Sequence, residues 1–212
     1  MEIHKEEQKI IDLYRKNILK EYTMRELMKA LDKKSYNWTH KSVAKLGRSI
    51  LIINKAGKTM VIKINLSSPR TIAYLSLLDM KNYSEKCPAE INDLLIEIVE
   101  KISKKSPYFT LLISGSYATG RQTHKSDLDL IIIISDIAAK KEIMPYIKDA
   151  TRLSSIPVEN HIFTKKEFID MLIDDEENFG KEVFRKHLLV YGAEAYYQIL
   201  KEAIRNGLQT KI

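Results

Sequence analysis

Apolar residues recur at helical spacing in the first part of the chain and then switch repeatedly between helical and strand periods. Ile10, Ile11, Tyr14 and Ile18 alternate with Glu6, Lys9, Arg15 and Lys16, which predicts an amphipathic helix over residues 4–20. Thr23-Met24-Arg25-Glu26 has the form of a capping box, and Met24, Leu27, Met28 and Leu31 continue it as a second apolar stripe. After the polar turn Asp32-Lys33-Lys34-Ser35, a third helix is expected from Tyr36 to Leu46. Its inward face would be Val43 and Leu46, and its outward face Asn37, Trp38, Lys41 and Lys45. Ile50 to Ile53 and Thr59 to Ile64 read as two strands joined around Gly57, which can take a positive φ.

Three helices followed by a hairpin is the order of a winged helix-turn-helix, placed at residues 1–69. The Ser67-Ser68-Pro69 cluster marks the expected boundary with a second domain over residues 70–212. That domain opens with connecting helices over 70–105, the second of which carries Ile91, Leu94, Leu95, Ile98 and Ile102 as one stripe. Strands are expected at Tyr108 to Ser114, Leu128 to Ser135, Ile156 to Phe163 and His187 to Tyr191. Helical patterns fill 136–150, 165–185 and 193–206. The catalytic core would occupy 106–164, and the last helices and strand 165–212. The fold class is therefore α/β in the broad sense (α+β), a mixed sheet flanked by helices behind the small N-terminal domain.

Composition narrows the picture. With 44% hydrophobic residues, 7 Gly and 5 Pro in 212 residues, the chain can build packed cores and is no disordered or collagen-like polymer. The longest aliphatic run, Leu130 to Ile134, is far below the roughly 20 residues of a membrane span. The N-terminus lacks a signal-peptide layout, and the lone Cys87 permits no internal disulfide, so a cytoplasmic protein without a membrane partner is expected. The net charge of +7 divides unevenly: residues 1–70 sum to +9 and the remainder to −2. From Lys33 to Leu78 there are nine basic side chains and no acidic one, a stretch suited to a polyanion. If it meets DNA or RNA, Asn37, Trp38, Thr39, Lys41 and Ser42 are the candidates for base or sugar contacts, and Lys45, Arg48, Lys55 and Lys58 for phosphates. The alternative is a solvated basic face on a small domain that docks onto the acidic remainder of the chain or onto another protomer.

The chemistry concentrates between Leu111 and Ile132. A buried strand ends at Gly115-Ser116, where a missing side chain lets backbone N–H groups approach an anion at the start of a short helix. A second strand then opens with Asp127-Leu128-Asp129. Alternate strand residues face one way, so the two carboxylates share a face about 6.6 Å apart at Cα. Two acids at the mouth of an apolar strand call for a divalent cation, and hard oxygen donors suit Mg²⁺ carrying substrate phosphates, with Mn²⁺ as the other candidate. Such a pairing of phosphate cradle and metal dyad is equipment for phosphoryl or nucleotidyl transfer.

Gly115, Ser116, Ala118, Gly120, Ser126, Asp127 and Asp129 resemble the motif of the minimal branch of DNA polymerase beta-like nucleotidyltransferases: Gly-Ser, ten residues, then Asp-x-Asp. The resemblance spans roughly residues 90–206 and includes the ending Leu189-Val190-Tyr191-Gly192-Ala193-Glu194. It implies binding of ATP or another NTP through Gly115 and Ser116, with Ser126 in the motif and Lys125 either on the triphosphate or on the surface. It also implies Mg²⁺ on Asp127 and Asp129, and a third carboxylate that completes the metal site and acts as base. Glu159, in Ile156-Pro157-Val158-Glu159-Asn160-His161, matches that third position, where the family's usual residue is Asp. His161 shares its strand face and is read as a packed histidine, with a role as substitute base as the alternative.

The resemblance thus implies a Mg²⁺-dependent transferase that moves a nucleoside monophosphate, AMP from ATP by default, to an acceptor hydroxyl on protein, RNA or a small molecule. Self-association as a homodimer stays open. The other reading is a DNA-binding regulator or antitoxin-like protein that uses the transferase fold as nucleotide sensor or docking module. Tyr191, Tyr196 and Tyr197 are expected in packing, and Asp174-Asp175-Glu176-Glu177 as a solvated helix entry.

Overall fold

A computed structural model describes residues 3–57, 59–135, 137–152 and 154–209 of the chain. The chain divides into two compact units, one ending at Leu78 and the next running from Asp79 to Leu208. In the first unit the order is α1 (Lys5–Lys16), β1 (Tyr22–Thr23), α2 (Met24–Ala30), α3 (Tyr36–Leu46), β2 (Leu51–Ala56) and β3 (Thr59–Ile64). The three strands form an antiparallel sheet in the order β1-β3-β2. The short strand β1 was not anticipated. Its two residues carry too little periodicity to stand out, and they pair with Val61 and Ile62.

Local signals set the ends of these elements. Thr23 caps α2 through its hydroxyl while Glu26 returns a carboxylate to the Thr23 N–H at 2.8 Å, and Gly57 takes φ +60° where β2 turns towards β3. Ile10, Ile11, Tyr14, Leu27, Leu46 and Ile62 are fully buried and form the centre of the unit. Tyr14 is apolar in bulk yet polar at its tip, and its hydroxyl donates to the Ile62 carbonyl at 2.9 Å, so helix and sheet are tied by a satisfied buried group.

The helix α4 (Pro69–Lys86) runs across the division at Leu78, beyond the Ser67-Ser68-Pro69 cluster. The second unit continues through α5 (Ala89–Ser103), β4 (Phe109–Ile113), α6 (Gly115–Thr119), β5 (Leu128–Ile134), α7 (Ile137–Thr151), β6 (Val158–Thr164), α8 (Lys165–Ile173), α9 (Phe179–Arg185), β7 (Leu188–Tyr191) and α10 (Ala193–Arg205). Its four-stranded mixed sheet has the order β6-β5-β4-β7, with β5 and β6 parallel and the other pairs antiparallel.

One face of this sheet holds Leu111, Ile113, Leu128, Leu130, Ile132 and Ile134, packed in one cluster with Ile91, Leu95, Ile98 and Ile102 of α5 and Ile143 and Ile147 of α7. Burying each such side chain is worth about 1.5–3 kcal/mol, so this cluster dominates the unit's cohesion. Strand alternation sends Asp129 and Ile131 of β5, and Glu159, His161 and Phe163 of β6, to the opposite face. The aromatic residues near the C-terminus pack as expected: Tyr196 and Tyr197 are buried, and Tyr191 stacks on Phe109 with ring centroids 4.6 Å apart. Asp79 is a buried acid that sequence pattern does not reveal, and it accepts the Tyr197 hydroxyl.

Candidate active site

β4 ends where β5 and β6 begin, so this edge of the sheet collects Ser114, Gly115, Asp127, Asp129 and Glu159. The Ser114 N–H donates to the Asp129 carbonyl at 3.0 Å, which extends the ladder to the turn. Gly115 then takes φ +64°, and a Cβ built on it would stand 2.1 Å from Asp129 Oδ2. The glycine suits its left-handed backbone angle, and it leaves the space that the Asp129 carboxylate fills. Ser116, half-buried, sits in the first turn of α6, and the Thr119 hydroxyl donates back to the Gly115 carbonyl at 3.2 Å or to that of Ser116 at 3.1 Å.

Parallel pairing of β5 with β6 sets Asp129 directly opposite Glu159 and Ile131 opposite His161. One donor atom each from Asp129, Glu159 and His161 lies within 4.8 Å of the others. His161 Nε2 stands 3.4 Å from Glu159 Oε1, and its ring packs on Phe179 at the start of α9 with centroids 4.6 Å apart. Among the described residues no Lys or Arg forms an ion pair with Asp129. Burial, followed by the charge of Glu159, raises the Asp129 carboxyl above its ordinary value; Asp127 and Glu182 add to this and His161 opposes it.

The two carboxylates expected as a dyad differ in exposure. Asp127 precedes β5 and is exposed, and it lies outside the close group of Asp129, Glu159 and His161. The strand starts one residue after Asp127. His161 is packed, as expected of a strand histidine, but its ring nitrogen faces the acids. Its position two residues from Glu159 was the sequence signal for this. Lys125 is exposed in the loop before β5, which is closed by the Thr123 N–H donating to Ser126 Oγ at 2.9 Å.

A cavity of about 510 Å³ beside α9 is lined by Glu177, Asn178, Glu182, Arg185 and Lys186. The Ser114 hydroxyl, at the end of β4, donates to the carbonyl of one lining residue, Lys186, at 3.5 Å. The cavity's volume is in the range of small-molecule sites. Of these residues only Glu177, in the acidic run 174–177, was marked by the sequence, and it was read there as a solvated helix entry.

The nucleic-acid candidates of the first unit differ in exposure. Thr39 and Ser42 are buried on the inner stripe of α3 with Val43 and Leu46, because residues three, four and seven apart share a helix face. They are withdrawn as base contacts. Lys45 is half-buried and bonded to Glu7 at 2.7 Å, and half-buried Trp38 lies under the Lys33 ammonium, 5.0 Å from its ring centroid. Asn37, Lys41, Arg48 and Lys55 are exposed; Lys58 lies outside the described residues.

The sequence profile of the nucleotidyltransferase domain matches residues 95–183, the stretch from α5 to α9. A candidate protein adenylyltransferase of Methanocaldococcus jannaschii is 33% identical over 98 residues, which cover 42% of this chain and 98% of that protein. A crystal structure of a toxin–antitoxin with AMP-PNP aligns over 53% of this chain and 85% of its own, at 14% identity and a TM-score of 0.36. No described helix is long and apolar enough to cross a membrane.

The Gly115 geometry predicts a separable effect. Gly115 and Gly120 have φ of +64° and +66°, but a Cβ on Gly120 meets nothing within 4 Å. Gly115→Ala and Gly120→Ala should each lower stability by about 1–2 kcal/mol through left-handed backbone strain, measured by denaturant unfolding. Only Gly115→Ala should displace the Asp129 carboxylate, seen as a changed titration of its carboxyl carbon by NMR.

Proposed function

The chain belongs to the nucleotidyltransferase family, and on that premise we propose that its second unit transfers AMP from ATP to an acceptor hydroxyl. The observation that carries the reading is the meeting of Asp129 and Glu159 at the edge where the Gly115 turn leaves β4. Their oxygen donors, with exposed Asp127 beside them and no ion-paired Lys or Arg at Asp129 among the described residues, fit a divalent cation, Mg²⁺ or Mn²⁺. When bound, such an ion neutralises phosphate charge and polarises the α-phosphoryl group.

The residues themselves divide the remaining work. Gly115 lets the chain pass close to the β and γ phosphates, with backbone N–H groups and the Ser116 hydroxyl as donors. Lys125 and Ser126 stand on the loop that leads back to Asp127. Glu159, whose side chain is 61% exposed, is open to an incoming acceptor and takes the proton of its hydroxyl. The hydroxyl oxygen bonds to the α-phosphorus in line and pyrophosphate departs with the displaced bond pair. The name of the M. jannaschii relative supports a protein hydroxyl as acceptor.

For the first unit, the helix and strand order and the three-stranded sheet support a winged helix-turn-helix that binds nucleic acid. Exposed Lys41, Arg48 and Lys55 would meet phosphates, and Asn37 at the start of α3 a base edge or sugar.

Two experiments test these readings. Incubation with α-labelled ATP, a divalent cation and lysate should yield label that protease removes and nuclease does not. Asp129→Asn should reduce transfer on the order of 100-fold or more, and an undiminished variant would sink the site assignment. Duplex retardation should weaken with salt, and Lys41→Ala and Lys55→Ala should each lower the log–log salt slope by about 1; unchanged slopes would exclude this face as the contact.

A further inference from the structure

We infer that the cation of this site sits on a mixed donor set, one oxygen each of Asp129 and Glu159 together with Nε2 of His161, and that this set selects Mn²⁺ over Mg²⁺. The inference deepens the proposed nucleotidyl transfer and rests on it for the site's purpose, while the donor set itself can be tested without nucleotide. Three observations carry it.

The first is proximity: donor atoms of these three residues lie within 4.8 Å of one another, and Asp127 is not among them. Two donors on one cation with bonds of about 2.1 Å stand about 3.0–3.4 Å apart at octahedral or tetrahedral angles. The 3.4 Å between His161 Nε2 and Glu159 Oε1 already meets that spacing. Glu159 is largely exposed, so its longer side chain can close the remaining gap to Asp129 by rotation alone. The extra methylene of Glu over the family's usual Asp thus has a use, because it lets one carboxylate reach a centre shared with an imidazole.

The second observation is orientation. The β5–β6 register puts Asp129, Glu159 and His161 on one sheet face, and Phe179 lies against the His161 ring at 4.6 Å. The imidazole is therefore held by packing with Nε2 turned towards the acids. The third is charge. Asp129 and Glu159 face each other across the β5–β6 register, and no Lys or Arg pairs with Asp129 among the described residues.

Mg²⁺ demands oxygen donors and near-ideal octahedral geometry, whereas an imidazole nitrogen is accepted by first-row transition ions. Two carboxylate oxygens and one imidazole suit Mn²⁺, which tolerates both donor types. The second oxygen of Glu159 stays available to the acceptor hydroxyl.

The test is a titration of the untagged full chain with MnCl₂, followed by loss of the free-ion EPR signal and by pulsed EPR of the bound ion. Expected are bound Mn²⁺ with nitrogen modulation from one imidazole, and displacement by Mg²⁺ only at on the order of tenfold or greater excess. His161→Ala and His161→Gln should abolish the modulation and weaken Mn²⁺ binding on the order of tenfold or more. Asp127→Asn should keep the modulation. Bound Mn²⁺ without nitrogen modulation, modulation that survives His161→Ala, or a folded wild-type chain that retains no Mn²⁺ would each overturn the inference. Should both histidine variants fail to fold by circular dichroism, the wild-type spectrum alone decides. Nitrogen-coupled Mn²⁺ in a protein that transfers no label from ATP would instead remove the nucleotidyl-transfer reading and leave the donor set standing.

Discussion

The parallel pairing of β5 with β6 is the constraint from which the site follows. Seven consecutive pairs, from Leu128 with Val158 to Ile134 with Thr164, fix the register. A slip of one residue would turn Glu159 and His161 towards the face packed against α5 and α7, and expose Ile162 in their place. The apolar face cannot accept buried charge, so the same hydrophobic pattern that stabilises the sheet also determines which side chains meet Asp129. Parallel strands need a long crossover, and α7 supplies it with Ile143 and Ile147 buried in the common cluster.

That arrangement concentrates negative charge at an edge where β4 has just ended. Burial, followed by the neighbouring Glu159 charge, disfavours ionisation of Asp129 and raises it, and the structure tolerates this because the edge opens to solvent at Glu159 and Asp127. Gly115 contributes by omission, leaving room for the Asp129 carboxylate. The +9 of the first seventy residues, by contrast, is partly consumed within its own unit: Lys33 and Lys9 bind Glu6, and Lys45 binds Glu7. The cations left exposed on α3 and β2 are fewer than the sequence total suggests.

Much of this was legible in the sequence because it is local. The capping box at Thr23, the stripe on α5 and the apolar run of β5 each depend on neighbours a few residues apart, and all three appear as read. The Gly115 turn and Asp129 were likewise marked by one continuous motif. Glu159 required a further step, since its meeting with Asp129 depends on strand order across a thirty-residue separation. The position of His161 depends on Phe179, a residue on a later helix, and no local pattern encodes that contact. Thr39 and Ser42 were misplaced for a different reason: polar residues on a short helix read as surface, although their spacing with Val43 and Leu46 puts them on the inner stripe.

Attack at the α-phosphorus of a nucleotide is what the proposed role of this sheet edge requires. The most direct measurement compares ATP labelled at the α position with ATP labelled at the γ position, using purified protein with Mn²⁺ or Mg²⁺ and its acceptor fraction. With nucleotidyl transfer, α label becomes attached to the acceptor while γ label is recovered entirely as pyrophosphate. Acceptor carrying γ label, or γ label released as orthophosphate with no α label attached, would contradict it.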